Sequence, residues 1–261
     1  MHFTYNTINI TPDQPLPLAG WSSRINPHTS VEFPIEANIA LFDYDGSSLL
    51  MVCIDSLFVS SRLREHILNK LKATNIAFEN AQLIIFASHT HFAPSLDEDK
   101  PLLGEINHAY INQCFNSISD GILALFKEEQ QTISIEYKKG RFERTINRRQ
   151  KQWQGGKNPL NWHYKTAIAP NPVSRVNKDI HLFTIKDNND KTIAFLWSIA
   201  CHPVDYKNFE ALSSNYIGYV RQALRNNYTN DLPVFFIQGF AGNIRADLFN
   251  HNSIKGKLSY L

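Results

Sequence analysis

AQLIIFASHTHFAP, residues 81–94, runs from a stretch of apolar residues into two histidines one residue apart, His89 and His91, and closes on Pro94. Its apolar part is continuous rather than alternating, the pattern of a strand buried on both faces of a sheet. A strand that ends in imidazoles puts chemistry at its C-terminal end, where open α/β sheets place their ligand sites. Three other runs share this form. SLLMVCIDS (48–56) reaches Asp55, TIAFLWSIACHP (192–203) reaches His202, and LPVFFIQGFAGN (232–243) reaches a glycine-containing turn. Helical patterns lie between them at 60–73, 107–126 and 215–226. The expected fold is α/β, with a mixed or mostly parallel central sheet flanked by helices, in a single domain spanning 1–261.

If residues 89–91 are extended, side-chain alternation sets both imidazoles on one side and Thr90 on the other. His202 then offers a third nitrogen from a neighbouring strand, and Asp55 a carboxylate ligand or a partner that orients an imidazole. Three protein ligands with one open position form the usual catalytic zinc arrangement, in which bound water reaches a pKa of ~7. Each piece also has a plainer reading: a polar turn for the histidine pair, a helix cap for Asp55, a small buried hydrophobe for Cys201. The other histidines, including His28, His108 and His251, read as surface or structural residues. In QGFAGNIRAD (238–247), Gly239 and Gly242 can turn backbone amides toward an oxyanion, or simply make a tight turn.

The composition, 43% hydrophobic and 19% charged, is that of a globular chain. A net charge of +2 from 26 basic and 24 acidic residues gives no strong field, so nucleic acid is not an expected partner. RFERTINRRQKQW (141–153) is locally basic, a solvated face or an anion-recognition arm. GGKNPLNWHYKTAIAPNPVS (155–174) reads as a long loop of the kind that serves as a lid. Three cysteines without a CxxC pair suit a reducing compartment. With neither a signal-peptide pattern nor an apolar run of ~20 residues, the expectation is a soluble cytoplasmic protein.

In their order the motifs resemble the N-terminal catalytic domain of the neutral/alkaline ceramidases. INITPDQPLPLAGWSSR (8–24) is similar to the family's opening segment, and ASHTHFAP to its SHTH metal motif. TINRRQ resembles its Asn-Arg segment, IACHPVD its His-Pro motif, SSNYIGYVRQAL its Gly-Tyr helix and FIQGFAGNIRAD its nucleophile loop. The resemblance spans about residues 8–248. It implies zinc bound by His89 and His202, with His91 beside the substrate, and hydrolysis of the amide joining a fatty acid to a sphingoid base. Asn147, Arg148, Gly242 and Asn243 become candidates for substrate binding.

Where ceramidases carry Ser-Pro-Asn after Gly-Asn, this chain reads Arg245-Ala246-Asp247, without the family's catalytic serine. Two later zinc ligands of the family, a Glu and a Tyr, have no counterpart before Leu261, which suggests a short divergent relative or a fragment. The function expected is a zinc-dependent hydrolase of an amide-type bond in a small-molecule or lipid-like substrate, with metal-bound water as nucleophile. His91 or Asp247 would move protons, and Arg245 or Arg148 would bind an anionic group or the developing oxyanion. The alternative is a catalytically silent relative serving as a binding or complex-forming subunit.

Overall fold

The computed structural model describes residues 1–76, 78, 82–156, 158–205 and 208–247; His251 lies outside them. The first half contains strands β1 (His2–Asn9), β2 (Ser30–Val31), β3 (Glu36–Tyr44), β4 (Ser47–Ile54) and β5 (Leu83–Ala87), with helices α1 (Ser61–Ala73) and α2 (His108–Leu125). The second half contains β6 (Gln131–Thr132), β7 (Ser134–Arg141), β8 (Thr145–Gln154), β9 (His163–Asn171), β10 (Asp179–Lys186), β11 (Thr192–Ile199) and β12 (Ala211–Leu212). Helix α3 (Tyr216–Asn227), β13 (Val234–Gln238) and β14 (Ile244–Ala246) follow.

All three helices fall within a residue of the sequence reading, because each starts at a polar cap. The Ser60 hydroxyl accepts from Arg62 N, the Asn107 side chain from Tyr110 N, and the Asn215 side chain from Tyr216 N. The four apolar runs are β4, β5, β11 and β13. They pair in parallel two by two, β4 with β5 and β11 with β13.

They do not form one mostly parallel sheet. One mixed sheet runs β5-β4-β3-β1-β6 and a second runs β13-β11-β10-β7, and most of their pairings are antiparallel. The sheets share a core in which Phe3, Met51 and Cys53 of the first meet Ile185, Ala194 and Phe235 of the second. On the outer face of the first sheet, Leu50, Val52 and Ile54 pack with Leu63 and Ile67 of α1 and Ile118 of α2. On the outer face of the second, Phe195, Trp197 and Phe236 pack with Ile217 of α3. The expected helix layer on both faces of a single sheet is therefore corrected: each sheet has helices on one side and the other sheet on its second side. A continuous apolar run reports that both faces are covered, not by what.

The expected loop at 155–174 is also corrected. It contains β9, which pairs antiparallel with β8 to make a long ribbon that β14 joins at its root. Beyond its buried root the ribbon mixes polar with scattered apolar residues and is largely exposed, so no apolar run marks it.

Candidate metal centre

The two parallel pairs bring the ends of β4, β5, β11 and β13 together. Beyond β5 the chain is tied to the end of β4 by Ser88 N to Ile54 O, 2.8 Å, and His89 N to Ser56 O, 2.9 Å. His91 N reaches Pro203 O at 3.3 Å, and His202 N reaches Ile244 O at 3.0 Å. These links gather His89, His91 and His202 into one group whose ligand-capable atoms lie within 4.8 Å of one another. The convergence is not that of an extended segment. His89 has φ 65°, a left-handed backbone that costs a non-glycine residue about 1–3 kcal/mol and concentrates at functional sites. Thr90 is pinned away from the group by its hydroxyl, which donates to Ser213 O at 2.9 Å.

The hydrogen bonds fix which nitrogens are available. His89 Nδ1 lies 2.9 Å from Leu57 O and His202 Nδ1 3.2 Å from Ala241 O. A carbonyl only accepts, so both Nδ1 atoms carry the proton and both Nε2 atoms present a lone pair. His91 Nε2 stands 3.1 Å from His202 Nε2, while His91 Nδ1 is buried with no hydrogen-bond partner. Burial, then the His202 and His89 imidazoles and the Arg148 guanidinium, pull His91 down to about 3. Burial, then Arg148 and His89, pull His202 to about 3. Burial also lowers His89.

The group fits zinc. Tetrahedral ligands at ~2.0–2.1 Å from the ion stand about 3.3 Å apart, close to the His91–His202 separation, and the imidazoles are already unprotonated as binding requires. The main-chain acceptors of Leu57 and Ala241 are the orienting partners that metal-bound histidines ordinarily have.

Around this group, Arg148 is aimed by a bulge. The β8–β9 register shifts between Asn147 and Arg149, and Asn147 Oδ1 accepts from Arg149 N at 2.8 Å. Arg148 N then donates to Asn243 O at 2.8 Å and its Nε to Gly242 O at 3.2 Å. Its charge depresses all three histidines. Asn147, Gly242 and Asn243 thus hold Arg148 in place.

Arg245 is on β14, bridged to His202, but its guanidinium is engaged bidentately by Asp205. The structure does not bring Asp55 to the histidines. Its carboxylate accepts from Arg221 at 2.8 Å and from Glu36 N at 3.1 Å, and Ser60 rather than Asp55 caps α1. Asp247 N donates to Arg144 O at 2.8 Å, and Asp247 is likewise outside the histidine group. Gly239 serves close approach: its amide donates to Ile199 O, and an added Cβ would stand 2.9 Å from Ala200 N.

The family model described as neutral/alkaline non-lysosomal ceramidase, N-terminal, matches residues 37–248. The chain belongs to this family. The neutral ceramidase of Pseudomonas aeruginosa has a similar fold, with a TM-score of 0.75 at 16% identity, over 95% of this chain and 40% of that one. A ceramidase complexed with C2 gives the same score and identity, over 96% and 39%. The chain therefore spans about two fifths of these solved ceramidases. Among curated proteins, none matches.

In this ceramidase-family chain, the segment LAGWSSR (18–24) builds one wall of the histidine group, which sequence reasoning did not assign to the site. Gly20 has φ 111°, and a Cβ there would lie 2.4 Å from His91 Nδ1. Trp21 meets the His91 ring edge-on at 4.8 Å. The Arg24 guanidinium packs over Trp21, Phe92 and Phe209 and donates to His91 O at 2.6 Å. Burial lowers Arg24 to about 10, which leaves it charged. The signals available were the stretch's resemblance to the family's opening segment and a glycine followed by an aromatic and an arginine.

Proposed function

We propose that this chain is a zinc-dependent hydrolase of an amide-type bond in a lipid-like substrate, with water rather than a side chain as nucleophile. The observation that carries the reading is the trio of neutral imidazoles, two of them with tautomers set by main-chain carbonyls. Zinc would be held by His89, His202 and His91, and there it supplies Lewis acidity and a water with a pKa of ~7.

The chain's own groups divide the remaining work. His89 and His202 keep their Nε2 atoms turned to one point. His91 turns its Nε2 to His202, and its Nδ1 is buried against Gly20 without a partner, so as a ligand it is held by packing and not by a hydrogen bond. Arg148 makes no salt bridge among the described residues, although Asp205 is within electrostatic reach, and its charge is felt by all three histidines, so it is placed to stabilise an oxyanion. Arg245 is neutralised by Asp205 and is better suited to bracing β14 against the His202 segment.

We propose a cytoplasmic location, which three cysteines without a CxxC pair would suit. No helix among the described residues is long and apolar enough to cross a membrane.

The test is hydrolysis of short-chain N-acyl sphingosines by protein stripped with chelator and then reconstituted with zinc. Activity that disappears with the metal, returns with it and is absent from His202→Ala supports the reading; turnover indifferent to chelation refutes it. A second reading, the silent binding subunit, is favoured by one observation. Arg245, in the place of the family's serine, is locked to Asp205 instead of being available to substrate. Folded, zinc-loaded protein inactive on every N-acyl substrate would favour it.

A further inference from the structure

The β8–β9 ribbon sorts its side chains by face. Across the ladder Arg149 faces Ile168, Lys151 faces Thr166 and Trp153 faces Tyr164, and strand alternation puts these six on one side. The other side carries Gln150, Gln152 and Gln154 opposite Ala167, Lys165 and His163. One face is therefore cationic near the root and aromatic near the tip, and the other is mostly amide.

The aromatic end is organised. Trp153 and Tyr164 have ring centroids 4.0 Å apart, with Trp162 at 6.3 Å from Trp153. The Trp162 indole donates to Gly156 O at 3.0 Å. Trp153 is 54% exposed, and Leu160 at the turn and Val173 beyond β9 are each 91% exposed. From Thr145 to Lys178 the sequence carries seven Lys and Arg and not one Asp or Glu, although the whole chain nearly balances 26 against 24.

We propose that this ribbon is a docking arm for an anionic bilayer surface. Tryptophan and tyrosine settle at the level of the headgroups, an aliphatic tip such as Leu160 enters the boundary of the acyl chains, and a single-sign basic surface is drawn to anionic lipid. A single-stranded nucleic acid would also use cations and aromatics, but exposed Leu160, Ile168 and Val173 gain nothing from stacked bases and do gain from hydrocarbon. The root of the ribbon is Asn147 and Arg148 at the histidine group. Six residues of strand, ~20 Å, separate Arg148 from the tip, so docking holds the centre close to the lipid surface. The inference rests on the ribbon's composition and facing and not on the chemistry assigned to the histidines.

The test uses the full chain with vesicles of phosphatidylcholine alone or mixed in equal parts with phosphatidylserine. Co-sedimentation is expected only with the anionic vesicles, weakening as salt rises. Trp153→Ser with Leu160→Ser, and separately Arg149→Gln with Lys151→Gln, should each reduce partitioning on the order of tenfold. His202→Ala should leave it unchanged, which keeps this result separate from the fate of the hydrolase reading. Equal binding to both vesicle types, or partitioning unaffected by either pair of substitutions, overturns the proposal. So does tighter binding to single-stranded nucleic acid than to vesicles at the same salt. Protection of ribbon tryptophan fluorescence from acrylamide before vesicles are added also overturns it, because the face would then be covered by protein.

Discussion

Two polar clusters sit at strand ends, one where β3 begins and β4 ends and the other beyond β5 and β11, and they differ in charge balance. In the first, Arg221 contacts Asp55 at 2.8 Å and Glu36 at 3.2 Å, while Arg225 holds Glu36 at 2.6 and 3.0 Å. Two cations face two carboxylates. Burial pulls Arg221 down, but the carboxylates of Asp55 and Glu36 more than offset it. Burial pushes Glu36 up, and the two arginines hold it below its usual value. In the second cluster, three imidazoles face one another with no carboxylate in the group, a bare nitrogen buried on His91 and two lone pairs set on a common point. Carboxylates answer the cations of the first cluster, and none answers the imidazoles of the second. The first cluster ties α3 to the strands that carry Glu36 and Asp55, and the second is a donor set that could take a metal.

The largest effect should come from breaking the first cluster. Arg221→Met leaves buried Asp55 without its cation, while Glu36 keeps Arg225, and should cost about 3–5 kcal/mol in urea-unfolding free energy, without changing the zinc bound per folded chain. A stability loss under about 1 kcal/mol would mean that the ion pairs are not what holds it.

Next comes the second cluster. His202→Ala should weaken zinc binding by more than about 100-fold, beyond what loss of a mere supporting hydrogen bond does, while metal-free stability stays within about 1 kcal/mol of wild type. Competitive chelator titration and urea midpoints report the two numbers. A large loss of metal-free stability would make the histidines a structural cluster like the first.

A smaller effect separates placement from ligation. Gly20→Ala puts a methyl into the His91 ring at a left-handed φ, costing about 1–3 kcal/mol of strain and displacing His91. Zinc affinity should fall roughly 10–100-fold with the circular dichroism unchanged. Unaltered affinity would remove His91 from the ligand set.

A further effect is a pH dependence of the metal-free protein. Folding holds His91 and His202 near 3, by burial first, against 6.5 when exposed, so it favours their neutral forms. The stability tied to those forms is intact above about pH 6.5 and is lost as pH falls toward about 3. Urea midpoints in the presence of chelator should fall less steeply over that window in His202→Ala than in wild type. Parallel slopes would contradict the assignment.

The helices and the four central strands were legible because caps and continuous apolar runs are local signals. The partner of each sheet was not, since Met51 and Phe235 are apolar whether a helix or a sheet covers them. The polar strands of the ribbon gave no periodic signal, and 155–174 read as loop. At the centre, the imidazoles were legible from their position after strands, while the left-handed turn at His89 and the space left by Gly20 depend on contacts between distant segments. Asp55 had the residue type of a ligand, but its partner, Arg221, lies 166 positions away, beyond what motif spacing can show.

Zinc per chain, measured by plasma mass spectrometry on folded wild type beside His89→Ala and His202→Ala, decides whether the histidine group is a metal centre. Close to one zinc is expected in wild type, lost from both variants with the fold retained. Well-folded wild type that takes up no metal after zinc supplementation would show that the group is not one.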